Sequence, residues 1–153
     1  MEMSMRSTQS AISMVMVGLT LAAGCTRTKP PEPSADGRQT LVLPQAERDA
    51  VLAEMRQMLE STNGILHASV ANDMPAIEKA ARASGMAMAV DSALEQHLPA
   101  AFLQWGMQTH RSFDQLADQA AAGGTREDAI RTLATLTDNC VACHRTYRVE
   151  TDR

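Results

Sequence analysis

The run from Cys140 to His144, with the sequence C-V-A-C-H, constrains this chain more than any other feature. Its two thiols are three residues apart, so on a helix they lie on the same side, about one turn from each other. Both can then form thioether bonds to one edge of a single porphyrin, and the histidine that follows can bind the iron as proximal ligand. This spacing is the attachment signature of a c-type haem, and it predicts one covalently bound haem c.

Two other uses of a C-x-x-C pair compete with haem attachment. A structural zinc site needs two further ligands, and the only other cysteine, Cys25, lies in a different kind of segment. A thioredoxin-like redox pair is expected within a βαβ unit, whereas the residues before Cys140 have helical periodicity. Both alternatives lack their expected surroundings, so haem attachment is the favoured interpretation.

The composition agrees with a small domain that contains a prosthetic group. A chain of 153 residues allows one domain, and only 3% of its residues are aromatic. A core with so few large rings lacks bulky side chains, and a buried haem would supply that volume, although a core of Leu, Met and Ala is the alternative. The net charge of −4, without a basic stripe, argues against nucleic acid as a partner.

The N-terminal residues 1–24 have the pattern of an export signal. Arg6 precedes an apolar run over residues 11–23, which is too short to span a bilayer comfortably. The run ends in L-A-A-G-C at Cys25, which resembles the lipobox of bacterial lipoproteins and implies that this cysteine is acylated. We therefore expect an exported protein, anchored by lipid on the periplasmic side of a bacterial membrane, with residues 25–42 as a Pro-rich tether. Without lipidation, cleavage near Ala23 would release a soluble periplasmic protein.

Four helices are predicted from hydrophobic periodicity and from local start and stop signals. Asp73 can cap the second helix, Pro99 opens the third, and Gly123–Gly124 stops it. Thr125 and Asp128 form a weak capping box at the start of the fourth. The first three helices are predicted over residues 45–71, from 73 to about 90, and from 99 to about 122; the fourth carries the haem motif and Tyr147.

This pattern predicts the fold class. No segment shows the alternation of a β-strand, and the connections between the helices are short. Four amphipathic helices with short connections indicate an all-α, antiparallel four-helix bundle over residues 43–149, followed by a C-terminal tail over residues 150–153.

The C-terminal run C-x-x-C-H-x-x-Y-R, from Cys140 to Arg148, resembles the hallmark of the cytochrome c′ family, the class II cytochromes c, which includes low-spin, methionine-ligated relatives. The resemblance extends from about Leu43 to Arg148. It implies that Cys140 and Cys143 hold the haem, that His144 is the proximal iron ligand, and that Arg148 adjusts the surroundings of that histidine.

The resemblance also implies where the sixth iron ligand is to be sought. The family places a residue of the first helix over the distal face, either a methionine or an apolar side chain that leaves the iron five-coordinate. Met55 is the first candidate ligand and Met58 the second, whereas an arginine-plus-four pattern after Arg48 would place Leu52 there. Methionine on a helical stripe is more often core packing, so an open site stays an alternative. Glu54 is assigned to the opposite, solvent-facing side of this helix.

Other residues are given simpler roles. His110 falls on the inner stripe of the third helix and is interpreted as a hydrogen-bonded core residue, while His67 and His97 are expected in solvent. Three glycines within the predicted helices could make room for a flat macrocycle or allow close helix contact: Gly64, Gly85 and Gly106.

These expectations favour a non-enzymatic role in one-electron transfer. A His144/Met55 pair would keep the iron six-coordinate, whereas an open distal face lined by Leu52, Met55 and Met58 would suit binding or sensing of NO or CO. A peroxidase has little support, because the sequence offers no clear distal histidine-arginine pair. The expected partners are a redox protein of unspecified identity and the membrane, and the surface of the second and third helices could support a homodimer.

Overall fold

The computed structural model describes residues 36–89 and 96–151. Its elements, in chain order, are strand β1 (Gln39–Leu43), helices α1 (Gln45–Ala71) and α2 (Met74–Arg82), a 3₁₀ turn (Met86–Met88), helices α3 (Ala100–Ala121) and α4 (Arg126–Thr146), and strand β2 (Tyr147–Thr151). The part of the chain described here is therefore mostly helical and contains four α-helices, as expected for an all-α bundle. The predicted export signal, Cys25 and the tether up to residue 35 lie outside the described residues.

Local capping signals place most of the helix ends where the sequence predicts them. Helix α1 spans the predicted range and is followed by Asn72, which adopts the left-handed conformation with a φ of 55°. The Asp73 side chain then accepts a hydrogen bond from the backbone N–H of Ala76 at 3.0 Å and caps α2. Thr125 and Asp128 form a complete capping box at the start of α4, so this prediction is confirmed.

The predicted end of the second helix, near residue 90, is wrong. Helix α2 ends at Arg82, and the backbone at Gly85 passes so close to Asp114 of α3 that a Cβ on Gly85 would lie 2.1 Å from a carboxylate oxygen. The backbone N–H of Met86 donates to that carboxylate at 2.8 Å. The chain has therefore left the helix before Gly85, where the lack of a side chain permits this contact with α3.

The expectation that the chain has no strands is also wrong. β1 pairs in parallel with β2, with Gln39 opposite Tyr147 and Leu43 opposite Thr151. Within β1, Leu41 and Leu43 are buried, whereas more than half of the side chain of Val42 between them is exposed. Tyr147, predicted on the fourth helix, belongs to β2, and most of β1 falls within the segment predicted as tether.

The buried side chains form two clusters. The first joins all four helices through aliphatic residues and one ring, that of Phe113, which is fully buried. The second lies at the strands and contains Leu41, Leu43, Val51, Phe102 and Tyr147. The rings of Phe102 and Tyr147 pack edge to face with their centroids 5.6 Å apart. Among the described residues, no helix is both long and apolar enough to cross a membrane.

Candidate functional site

A cavity of about 470 Å³ opens between α1, α3 and α4. One wall is a stretch of α1 from Val51 to Thr62, the second belongs to α3 between Phe102 and Thr109, and the third is the C-terminal part of α4. Apolar side chains predominate among those that line it. A cavity of this size and character is typical of a site for a small organic ligand or cofactor.

The cavity brings together residues that the sequence analysis selected from opposite ends of the domain. Six of the predicted site residues line it, three from α1 and three from α4: Leu52, Met55, Met58, Cys140, Cys143 and His144. The seventh, Arg148, does not belong to the lining and lies in β2, where its guanidinium donates to Glu150 at 2.5 Å. The two ends of the predicted site therefore share one space, while Arg148 stands outside it.

Both cysteines of the motif are free thiols and half-buried. Burial raises the pKa of Cys143 to about 11, with a smaller contribution from the neighbouring Cys140, and burial raises the pKa of Cys140 as well. Thiols with raised pKa values are protonated at neutral pH and are poor nucleophiles. This environment disfavours a thioredoxin-like exchange pair, which depends on a thiolate at low pKa.

The α4 wall of the cavity reaches the surface. Val141, between the two cysteines, has 46% of its area exposed, and His144 is exposed as well. Helix α4 ends two residues later at Thr146, and the N–H of Tyr147 donates to the carbonyl of Cys143. One edge of any group attached to the cysteines would therefore lie close to solvent.

On the α1 wall, the two candidate methionines are both partly buried. They are three residues apart and hence on one side of the helix. Met55 packs against the second cluster of buried side chains, and Met58 packs against the first. Each methionine therefore has a packing role in addition to its place on the cavity wall.

A buried Glu54–His110 pair lies at the edge of the cavity. The sequence predicted the buried position of His110 but not that of Glu54. His110 is 2% exposed and is hydrogen-bonded within the core, which confirms the interpretation of this histidine. Glu54 was assigned to solvent, and this is wrong: it lines the cavity, its side chain is 16% exposed, and it contacts Nε2 of His110. The signal that could have found it is the burial of a histidine, which requires a polar partner on a neighbouring helix.

The hydrogen-bond partners of His110 indicate which of its ring nitrogens carries a proton. Nδ1 of His110 lies 2.8 Å from the carbonyl oxygen of Ser84, which can only accept, so Nδ1 carries a proton. Nε2 faces the carboxylate of Glu54, so a hydrogen bond between these two groups needs one proton, on the imidazole or on the carboxyl group. Burial lowers the pKa of His110, but the hydrogen bonds to Glu54 and to the Ser84 carbonyl outweigh it, and the pKa is raised overall.

The three glycines of the helical segments have three different surroundings. A Cβ on Gly64 would lie 3.2 Å from the side chain of Ala80, so this glycine serves close contact between α1 and α2. Gly85 makes room for Asp114. Gly106 lines the cavity, and a Cβ there would meet nothing within 4 Å. Of the three, Gly106 alone borders open space where a macrocycle could lie.

The remaining candidates lie elsewhere. His67 and His97 are exposed, as expected, and His97 pairs with Glu47 at 3.0 Å. Within residues 36–89 and 96–151, no three His, Cys, Asp or Glu side chains are gathered as a metal cage, which gives the zinc interpretation no support from this part of the chain. Comparison of the chain with known protein families, with curated proteins and with solved structures found no match.

Proposed function

We propose that this protein is a c-type cytochrome of the cytochrome c′ type that transfers single electrons. One observation carries the proposal. The two cysteines and the histidine of the C-x-x-C-H motif line the same apolar cavity as Met55 and Met58, although about 85 residues separate these two parts of the chain. A haem attachment motif that borders a cofactor-sized cavity is the arrangement that a covalent haem requires.

The residues present fit a haem. Cys140 and Cys143 are free thiols on the cavity wall, and each thioether bond would form when a cysteine S–H adds across a vinyl group of the haem. Gly106 adds no side chain to the α3 wall between Trp105 and Thr109, and a Cβ there would meet nothing within 4 Å, so open space borders the wall at this point. When bound, the haem supplies an iron atom that alternates between two oxidation states.

The protein's own part in electron transfer is to hold ligands and exclude water. His144 follows Cys143 directly and is held at the end of α4, while Met55 projects from α1, so two separate helices present the two proposed ligands. Helices that are fixed by a common core change little when the iron changes charge. The exposed surface at Val141 gives a redox partner access to the attached edge.

We further propose that the four helices run alternately up and down, as in other bundles with short connections.

The cellular setting of the protein is proposed from its N-terminal sequence. Lipid on Cys25 would tether the protein to the periplasmic side of a bacterial membrane. Replacement of Cys25 by Ser should move the protein from the membrane fraction to the soluble fraction, and a variant that stays in the membrane would contradict this part.

A gas-binding protein is the second candidate, and one observation favours it. Met55 and Met58 each pack against a different cluster of buried side chains, so packing alone accounts for the positions of both side chains without a bond to iron. The iron would then be five-coordinate, with Leu52 and Leu59 among the apolar residues around an open position for NO or CO.

Absorption spectra of the oxidised and reduced haem-loaded protein decide between these functions. A low-spin spectrum that Met55→Ala converts to high-spin, while Met58→Ala leaves it low-spin, is the expected result for a carrier. These two variants are matched, because each removes one methionine from the same helix face. A high-spin spectrum in the parent protein would support the gas binder, and a chain that attaches no haem at all would overturn both.

A further inference from the structure

The segment just before α1 contacts the end of the helix that carries the haem motif. Arg38 extends one guanidinium nitrogen, Nη1, to two backbone carbonyls, that of His144 at 3.2 Å and that of Tyr147 at 3.4 Å. More than 100 residues separate the partners in sequence. We refer to Arg38, Asp36 and these two carbonyls as the Arg38 clamp.

The end of α4 needs such a donor. The last carbonyls of a helix have no partner within it, and they form the negative end of the helix dipole. Tyr147, at the C-terminal boundary of α4, is extended, with φ of −121° and ψ of 151°, so the left-handed cap that usually satisfies these carbonyls is missing. The positively charged Arg38 supplies the hydrogen bond and the favourable charge from another part of the chain.

Arg38 is itself held in place. Its Nε lies 2.7 Å from one carboxylate oxygen of Asp36, and its Nη2 lies 2.5 Å from the other, which is a two-point pairing. The hydrogen bond from Arg38 keeps the pKa of Asp36 below its ordinary value, so the carboxylate stays ionised. The next residue, Gln39, pairs with Tyr147 in the parallel sheet. The ion pair with Asp36 and the strand pairing therefore orient the guanidinium of Arg38 towards the carbonyls of His144 and Tyr147.

His144, in contrast, lacks side-chain support of its own. Its ring makes no hydrogen bond within the described part of the chain, and the residue is exposed. The direction of the ring then depends on the backbone of the last turn of α4, which is the part that Arg38 holds.

We propose that Arg38 is a positioning residue for His144, which fixes the backbone of the last turn of α4 and thereby the direction from which the imidazole meets the iron. This inference rests on the proposed haem site. Arg38 touches neither ring nor iron and acts through the carbonyl of His144.

The first test uses the full chain prepared without haem. Arg38→Ala should accelerate hydrogen exchange at the N–H of Tyr147, which donates to Cys143 within the same turn, by about tenfold, the lower end for loss of a charge-assisted hydrogen bond. Arg38→Lys should recover part of the protection. An ammonium group can donate to a carbonyl, but it cannot also reproduce the two-point pairing of the guanidinium with Asp36. Arg145→Ala is the matched control, since this exposed arginine lies in the same turn without clamping it.

The second test uses the haem-loaded, oxidised protein. The proton resonances of the haem methyl groups, shifted by the unpaired electron, report the orientation of the axial histidine. Their pattern should change in Arg38→Ala, return towards the parent in Arg38→Lys, and stay unchanged in Arg145→Ala. A structural role alone would alter stability without changing this pattern.

Different results would refute the positioning role of Arg38 and the cytochrome function. Identical exchange and identical methyl patterns in Arg38→Ala and Arg145→Ala would overturn the positioning role while leaving the cytochrome intact. If Arg38→Ala unfolds generally, Arg38→Lys carries the test. Faster exchange at the N–H of Tyr147 in Arg38→Lys, together with a methyl pattern identical to that of the parent, would overturn the positioning role, because a loosened last turn would then leave the direction of the ring unchanged. Failure of the parent chain to attach haem would refute the cytochrome, and the exchange test alone would then show whether the clamp holds α4.

Discussion

At the scale of single residues, the Glu54–His110 pair gives the molecule a predictable response to pH. The raised pKa of His110 means that the folded chain binds this proton more tightly than the unfolded chain does. The resulting stabilisation is fully present below about pH 6.5, the ordinary pKa of histidine, and is lost as the pH rises through the higher pKa of the folded state.

His110→Gln should therefore remove part of the decline in stability that the parent shows as the pH rises above about 6.5, measured as the midpoint of urea unfolding. Gln keeps a polar side chain at this buried position but cannot hold the proton. His97→Gln is the control, because His97 forms a pair with Glu47 that is 54% exposed on the histidine side and contributes little. Parallel pH profiles for His110→Gln and the parent would contradict the assignment.

Gly106 offers a second test on a single residue. Gly106→Ala should be tolerated and should stabilise the haem-free chain by up to about 1 kcal/mol, because its Cβ meets nothing within 4 Å and alanine favours the helix. Gly106→Leu should also fold, but its longer side chain would fill the cavity, so the amount of haem attached per chain should fall steeply. Full haem attachment in Gly106→Leu would show that the ring lies elsewhere.

At the scale of the elements, α4 depends on its first turn as well as on its last. The Thr125 hydroxyl accepts a hydrogen bond from the N–H of Asp128 at 3.1 Å, and the Asp128 carboxylate reaches back to the N–H of Thr125. Thr125→Ala should cost about 1 kcal/mol and lower the melting temperature by a few degrees. Thr135→Ala, an exposed change in the middle of α4, should cost less; equal losses in the two variants would contradict the capping role.

The elements also show which parts of the fold could be predicted from the sequence. The bounds of α1 and the start of α4 depend on neighbouring residues, such as Asn72 and Thr125, and a sequence pattern contains these signals. The end of α2 depends on Asp114 of another helix, and β1 depends on β2, more than 100 residues away. Such contacts follow from the packing of the whole chain, and a pattern of neighbouring residues does not specify them.

The same reasoning applies to the candidate site. The spacing of Cys140, Cys143 and His144 identifies the attachment side without any fold, since one helical turn fixes their relation. Glu54 was misplaced because helical periodicity sorts residues by hydrophobicity, and a carboxylate that pairs with a buried histidine violates that sorting. The Arg38 clamp could not be foreseen, because it required the strand pairing that the sequence pattern did not reveal.

At the scale of the whole molecule, the cavity lies where the two buried clusters meet. Cys140 and Met58 pack against the four-helix cluster, whereas Cys143 and Met55 pack against the strand cluster. A haem in this space would contact both, so it would act as shared core for the two parts. A haem-free chain would keep each cluster but lose the contacts between them, because an unfilled cavity deprives its lining of partner atoms.

The double variant Cys140→Ala/Cys143→Ala, which cannot attach haem, should therefore be less stable than the haem-loaded protein by several kcal/mol, with a melting temperature lower by about 10 °C or more. Its loss should be concentrated at the strands, because the first cluster draws on all four helices whereas the second depends on few residues. Hydrogen exchange would then show early opening of β1 and β2 while the helical core stays protected. Equal melting temperatures, or uniform loss of protection across both clusters, would mean that the haem does not join the two parts.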